Sequence, residues 1–202
     1  ISMSLFDASK PLKIKLLNAE IEYTPAFFNL KESKKLFDLI YNKTNWIEDN
    51  IRVYGKVYKQ PRLTAFYANN DKAYGYSNIS MKPQPFSPIL NAVKLKIEKA
   101  TKMTFSSCLL NLYRDGQDSN GWHSDNEKEL GKNPVIASVS LGAERLFHLK
   151  HKSIKTLKHK LTLQNGSLLL MKGDTQHHWL HQIPKTKKLI DKRINLTFRL
   201  IK

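Results

Sequence analysis

Downstream of Thr104 the chain breaks into seven short segments, SSCLLNLYRD, PVIASVSLG, RLFHLKH, KHKLTLQN, GSLLLMK, HHWLHQI and RINLTFRLIK, separated by Gly, Asn, Asp and Pro. Runs this short and this closely spaced are strands, and so many in succession require a sandwich or a barrel. Upstream the texture differs. Residues 1 to 30 mix short apolar runs with Pro11 and Pro25, which suits a strand or two with turns. Helical spacing runs from Ser33, a candidate N-cap, to about Trp46. A second helix is expected from Ser87 to about Lys102, with Pro88 at its first position and Leu90, Val93, Leu95 and Ile97 as its apolar side. Between the helices, IRVYGKVYKQPRLTAFYANNDKAYGYSN alternates as hairpins do, with turns at Tyr54-Gly55 and Asn69 to Asp71. The fold class is therefore α+β, mainly β: one domain whose helix-bearing part (1–104) rests on an all-β part (105–202).

Composition narrows the function classes. Cys108 is the only cysteine, which excludes an internal disulfide and Cys-rich zinc sites. No run approaches the roughly 18 apolar residues of a membrane span, and the opening ISMSLFDASK lacks the basic and apolar regions of a secretory signal. A soluble intracellular monomer with no membrane partner is the expectation, in the cytoplasm of a bacterium or the nucleus of a eukaryote. Thirty-four Lys and Arg oppose 17 Asp and Glu, giving +17, and a chain this basic favours polyanions, nucleic acid first. The plainer alternative is a basic surface that serves solubility alone.

Two strands carry polar faces that need an explanation. In RINLTFRL, Arg193, Asn195, Thr197 and Arg199 alternate with Ile194, Leu196, Phe198 and Leu200. In CLLNLYRD, Leu109, Asn111 and Tyr113 oppose Cys108, Leu110 and Leu112. Such faces ordinarily turn to solvent. The other reading has them line the inside of a small barrel that holds an anion, and two arginine forks on one face suit a dicarboxylate.

WHSDNE (122–127) places His123 and Asp125 two apart, on one side of an extended chain, with Ser124 on the other and Trp122 left to packing. A third ligand from His177, His178 or His181 would complete two His and one carboxylate, the set used by non-haem iron(II) oxygenases. Spacing alone does not choose among the three.

NLYRDGQDSNGWHSDNE, HHWLHQIP and RINLTFR, in this order, resemble the AlkB family of iron(II)- and 2-oxoglutarate-dependent nucleic-acid demethylases, over roughly Val53 to the C-terminus. The resemblance implies a double-stranded β-helix (jelly roll) core with N-terminal helices and nucleotide-recognition hairpins. It implies iron(II) on His123, Asp125 and His181, with dioxygen and 2-oxoglutarate as co-substrates. Asn111, Tyr113, Arg193, Asn195 and Thr197 are implied for 2-oxoglutarate, and Arg199 for its distal carboxylate. The implied reaction is oxidative demethylation of 1-methyladenine and 3-methylcytosine in DNA, with RNA as a further polymer, releasing formaldehyde, succinate and carbon dioxide.

For the substrate, the resemblance places Tyr54 at a wedge position, Tyr74 and Tyr76 where they bracket the base, and Asn126 and Glu127 at the base edge. Arg62 is expected at a phosphate or in the base pocket. HLKHKSIKTLKHK (148–160) and PKTKKLIDKR (184–193) offer cations to a nucleic-acid backbone. Two rival readings are an oxygenase acting on a protein or lipid-like substrate, and a nucleic-acid-binding jelly roll without catalysis.

Overall fold

The computed structural model describes residues 10–53, 56–69, 74–76 and 79–202. The chain opens with β1 (Leu12–Leu16) and β2 (Ala19–Thr24), an antiparallel pair turning through Asn18 at φ 55. Helix α1 (Leu30–Lys43) begins at Asn29, not at Ser33. The Asn29 side chain accepts from the Glu32 N–H and the Glu32 carboxylate accepts from the Asn29 N–H, both at 2.9 Å, which satisfies two orphan donors reciprocally. Ser33 is buried within the first turn, where its hydroxyl donates to the Leu30 carbonyl. The helix stops short of Trp46 because Thr44 is already extended.

Strands β3 (Asn50–Val53) and β4 (Lys56–Lys59) form one small antiparallel pair, and β6 (Tyr74–Tyr76) and β7 (Ile79–Met81) another. The turn expected at Tyr54-Gly55 lies outside the described residues, as do Asn70 and Asp71. Between the pairs, β5 (Leu63–Ala68) is no hairpin arm: it pairs with β8 (Ser107–Tyr113) in the main sheet. Helix α2 (Pro88–Thr101) starts on the Ser87 cap as expected. Leu90, Val93 and Ile97 are buried, but Leu95 is exposed and Lys94 takes the inner side, its ammonium 3.2 Å from the Glu98 carboxylate. Helical period decides this, since 90, 93, 94 and 97 share a face that 95 does not.

The remaining elements are β9 (Asn120–His123), a 3-10 turn (Lys128–Leu130), β10 (Ile136–Gly142), β11 (Arg145–His151), β12 (Lys158–Leu163), β13 (Leu168–Lys172), the single turn α3 (Thr175–His178), β14 (Trp179–Ile183) and β15 (Arg193–Arg199). His177 and His178 thus close a helical turn and do not open a strand. A seven-stranded sheet has the order β1-β2-β13-β10-β15-β8-β5, and a four-stranded sheet the order β12-β11-β14-β9. Every pairing within them is antiparallel. This is the jelly roll. Three strands of its larger sheet, β1, β2 and β5, come from the first 104 residues, so the core extends beyond 105–202.

The central strands of the larger sheet, β8 and β15, are buried on both faces, and alternation sorts their residues between two cores. Cys108, Leu110, Leu112, Ile194, Leu196 and Phe198 join α1 and α2 residues such as Ile40, Leu90 and Ile97 on the helix side. Leu109 and Tyr113 join Phe147, Leu149 and Trp179 of the smaller sheet on the other. Full burial of side chains like Ile194, Leu196 and Phe198 stabilises by about 1.5–3 kcal/mol each. Leu200, past the end of β15, is 39% exposed and falls outside this pattern. The polar residues of β15 therefore face the interior between the two sheets, not solvent. No helix among the described residues is long and apolar enough to cross a membrane.

Candidate active site

The smaller sheet brings the ligand set together. His123 ends β9 and pairs directly with His181 in the middle of β14, their ring centroids 4.2 Å apart. Asp125 lies just past β9, where its carboxylate comes 3.7 Å from His181 Nε2. One donor atom from each of the three lies within 4.8 Å of the others, the only such cluster among the described residues. His177 instead bonds Asn133 and His178 lies near Asn18. Two imidazoles and a carboxylate leave coordination positions open and are the donor choice of non-haem iron(II) sites.

Each donor is oriented by a neighbour. His123 Nδ1 donates to the Gly121 carbonyl at 2.8 Å, so Nε2 is the acceptor nitrogen; it faces Asn120 Nδ2 at 3.3 Å, a contact that a metal on Nε2 would replace. Asp125 N–H donates to the Gln176 side-chain oxygen at 2.9 Å, and Gln176 is buried on α3. Arg199 Nη2 donates to Asp125 Oδ1 at 2.6 Å. Burial pushes the Asp125 carboxyl up, but Arg199 and the two imidazoles outweigh it and hold the group at about 2. Burial, reinforced by His123, pulls His181 down to about 3, and burial also lowers His123. At neutral pH the three donors are therefore ready for a cation without competition from protons.

A polar groove runs from these ligands along β8 and β15. Register pairs Tyr113 with Arg193, Asn111 with Asn195 and Leu109 with Thr197. All of them line the groove together with His123, Asp125, His181 and Arg199. The two arginines stand at its two ends. Arg199 is engaged by Asp125, whereas Arg193 meets no carboxylate among the described residues and donates through Nη2 to Ser140 Oγ at 2.8 Å. Its Nε and Nη1 are buried with no acceptor among the described residues, and the Tyr113 ring lies 5.1 Å from its Cζ. Burial lowers this guanidinium to about 10. A buried cation with two unmet donors fits an incoming carboxylate. Of the two arginines, then, Arg193 and not Arg199 suits the distal carboxylate of a dicarboxylate whose other end reaches the metal. Arg199, expected at that carboxylate, is paired here with Asp125, a partner that alternation along a strand does not reveal.

Other expected contacts also resolve differently. Arg62 is 3% exposed, donates through Nε to Asn111 Oδ1 at 2.7 Å and through Nη1 to the Ser119 carbonyl, so it is no surface phosphate ligand. Its effect is to fix the Asn111 amide with its NH2 group left to donate. Asn195 Nδ2 donates to Ser138 Oγ and the Val139 carbonyl while its oxygen accepts from Thr197, so these two residues chiefly brace the groove floor. Asn126 is exposed and accepts from Ser124, and Glu127 is half-buried; neither lines the groove. Trp122 does not pack inward but is 39% exposed beneath Lys150. Tyr54 lies outside the described residues, and Tyr74 and Tyr76 are placed on β6 by backbone alone. Sequence reading missed Gln176 and the Arg62–Asn111 pair. For Gln176, only its position in the turn ahead of His181 hinted at a role.

A family model described as "2OG-Fe(II) oxygenase superfamily" matches residues 20–199. The cattle (Bos taurus) protein named alpha-ketoglutarate-dependent dioxygenase alkB homolog 3 is 40% identical over 191 residues, covering 88% of this chain and 64% of its own length. The chain thus spans just under two thirds of that relative. The cattle DNA oxidative demethylase ALKBH2 is 35% identical over 200 residues, covering 94% of this chain and 71% of its own. A solved structure of OsALKBH1 superposes with a TM-score of 0.66 at 16% identity, covering 92% of this chain and all of that one, which supports the fold. The matched span contains the four-stranded sheet, the larger sheet apart from β1, all three metal-ligand candidates and both groove arginines, and with it the chain belongs to the 2OG-Fe(II) oxygenase superfamily and, within it, to the AlkB family.

Proposed function

We propose that the chain is an iron(II)- and 2-oxoglutarate-dependent dioxygenase that removes methyl groups from ring nitrogens of nucleic-acid bases, 1-methyladenine and 3-methylcytosine foremost, in DNA and also in RNA. One observation carries the reading: a groove with His123, Asp125 and His181 at one end and the carboxylate-seeking Arg193 at the other. When bound, iron(II) and 2-oxoglutarate supply the oxidising chemistry with dioxygen, with succinate, carbon dioxide and formaldehyde as products.

The chain's own residues bind, orient and shield. His123, Asp125 and His181 would hold the metal, and Arg199 keeps Asp125 ionised and aimed. Arg193, Tyr113 and the Asn111 amide would hold the distal carboxylate, with Arg62 behind Asn111. Leu109, Ile136, Phe147 and Met171 complete the groove wall, so water is kept from the reacting end. The target base must leave its stack to enter, at a cost of a few kcal/mol that is least for a lesion already unable to pair. Tyr54, Tyr74 and Tyr76 would flank it, and Asn126 and Glu127, which follow Asp125 and lie outside the groove, would meet its edge at the entrance. The +17 charge and the name of the ALKBH2 relative both support a nucleic-acid substrate.

The test is formaldehyde release and base restoration on methylated oligonucleotides, single- and double-stranded, DNA and RNA, with iron(II) and 2-oxoglutarate supplied. His123→Ala and Asp125→Ala are expected to abolish turnover; full activity in either would refute the metal assignment. Selective loss on duplex in Tyr54→Ala would support the wedge.

A further inference from the structure

The site uses only one face of the four-stranded sheet. His123 and His181 face inward, so alternation turns Trp122 outward, onto a face shared with Leu146, His148 and Lys150 of β11 and Lys158 and Lys160 of β12. Register sets Lys150 opposite Lys158 and His148 opposite Lys160. Trp122 is 39% exposed and Leu146 49%, and Lys150 Nζ sits 4.3 Å from the centroid of the Trp122 ring. No Asp or Glu occurs between Arg145 and Gly173, so nothing on β11 or β12 offsets these cations. A face that only kept the protein in solution would need no exposed indole. Cations beside an aromatic platform are what an unpaired nucleic-acid strand requires.

Position connects this face to the groove. β9 is the edge strand of its sheet and only four residues long. Trp122 directly precedes His123, so a strand leaving the groove reaches the outer face by crossing β9 alone. From β9 the face extends over three strand spacings, roughly 14 Å.

We propose that the outer face of this sheet carries the single-stranded nucleic acid flanking the target nucleotide. Trp122 stacks on an unpaired base, and Lys150, Lys158 and Lys160 meet phosphates. The inference rests on the nucleic-acid reading above and adds the path of the strand outside the groove.

The experiment is fluorescence anisotropy of a labelled, unmodified single-stranded 15-mer with the full chain across a salt series. Trp122→Ala is expected to weaken binding about 5- to 150-fold, the range for losing one stacked base, with the salt slope kept. Trp122→Phe should restore most of the affinity. Lys150→Gln/Lys158→Gln/Lys160→Gln should flatten the slope of log K against log salt by roughly 2, at about 0.7 for each single-strand phosphate contact. Thermal midpoints equal to wild type show that the variants are folded. If wild type demethylates and binds the 15-mer while the variants match its affinity and slope, this path is wrong and the proposed reaction stands. If wild type binds no oligonucleotide, both fall. Sedimentation gives a further check: a wild-type dimer that Trp122→Ala dissociates would make the face a self-interface and overturn the proposal.

Discussion

Arg193 and Arg199 share a strand, a face and nearly the same burial, 1% and 3% exposed, yet they have opposite electrostatic situations. Arg199 has a carboxylate at 2.6 Å; Arg193 has a serine hydroxyl and two unmet donors. The difference teaches that one end of the groove is complete without a ligand and the other is not. At the complete end a permanent charge pair shapes a metal donor. At the incomplete end the protein carries a buried cation whose compensation must come from outside.

The largest effect should come from breaking the complete end. Arg199→Met leaves Asp125 buried and unpaired, which is expected to destabilise the metal-free protein by about 3–5 kcal/mol in chemical denaturation. Adding Asp125→Asn should recover most of that loss. Arg193→Met should do the reverse. The ligand-free protein keeps or gains stability because an uncompensated cation is removed, while affinity for 2-oxoglutarate falls about 10- to 100-fold with the loss of charged hydrogen bonds. A denaturation loss in Arg193→Met as large as in Arg199→Met would erase the contrast between the two ends.

Acid should sharpen the contrast by acting on one end alone. His181 is held near 3 in the fold against 6.5 in the open chain, so between these values the unfolded state binds more protons. Metal-free stability must therefore decline as pH falls from 6.5 towards 3. Asp125, held at about 2 against 3.8, adds a further loss as pH falls through that lower window. Thermal midpoints are expected to decline less steeply between pH 6.5 and 3 in His181→Gln, where the buried His123 still contributes, and to keep their full decline in Arg193→Met. The smallest effect belongs to the brace between the ends. Thr197→Val removes one hydrogen bond to Asn195 and should cost about 0.5–1.5 kcal/mol, with 2-oxoglutarate affinity nearly unchanged.

Much of this was legible in the residues. The alternation of RINLTFR gave the two faces of β15, and its polar face does line an interior groove. The order of HSD, the late histidines and the arginine strand pointed to the family, and the family pointed to His181. What periodicity cannot supply is depth along a strand. It groups Arg193 with Arg199 but does not say which meets Asp125, because that depends on how the second sheet lies over the first. Arg62, expected at a phosphate or in the base pocket, is buried against Asn111 and the Ser119 carbonyl, partners that its place in QPR does not reveal. Ser33 drew attention from Asn29 because both are good caps, and the Asn-x-x-Glu box decides between them. Gln176 left almost no signal, since a glutamine is read by what it touches.

The placement of β9 at a sheet edge has a consequence for motion. Its register against β14 is irregular between His181 and Ile183, and among the described residues no strand flanks it on the other side. Strands held this way open locally at low free energy. A cation gripped by His123, Asp125 and His181 would tie this strand to its neighbour and to the segment that follows it. Amide hydrogen exchange should then be fast across Asn120–His123 without metal and slow with it, while β15 exchanges slowly in both states. Loading of the centre would thus be coupled to fastening of the sheet border.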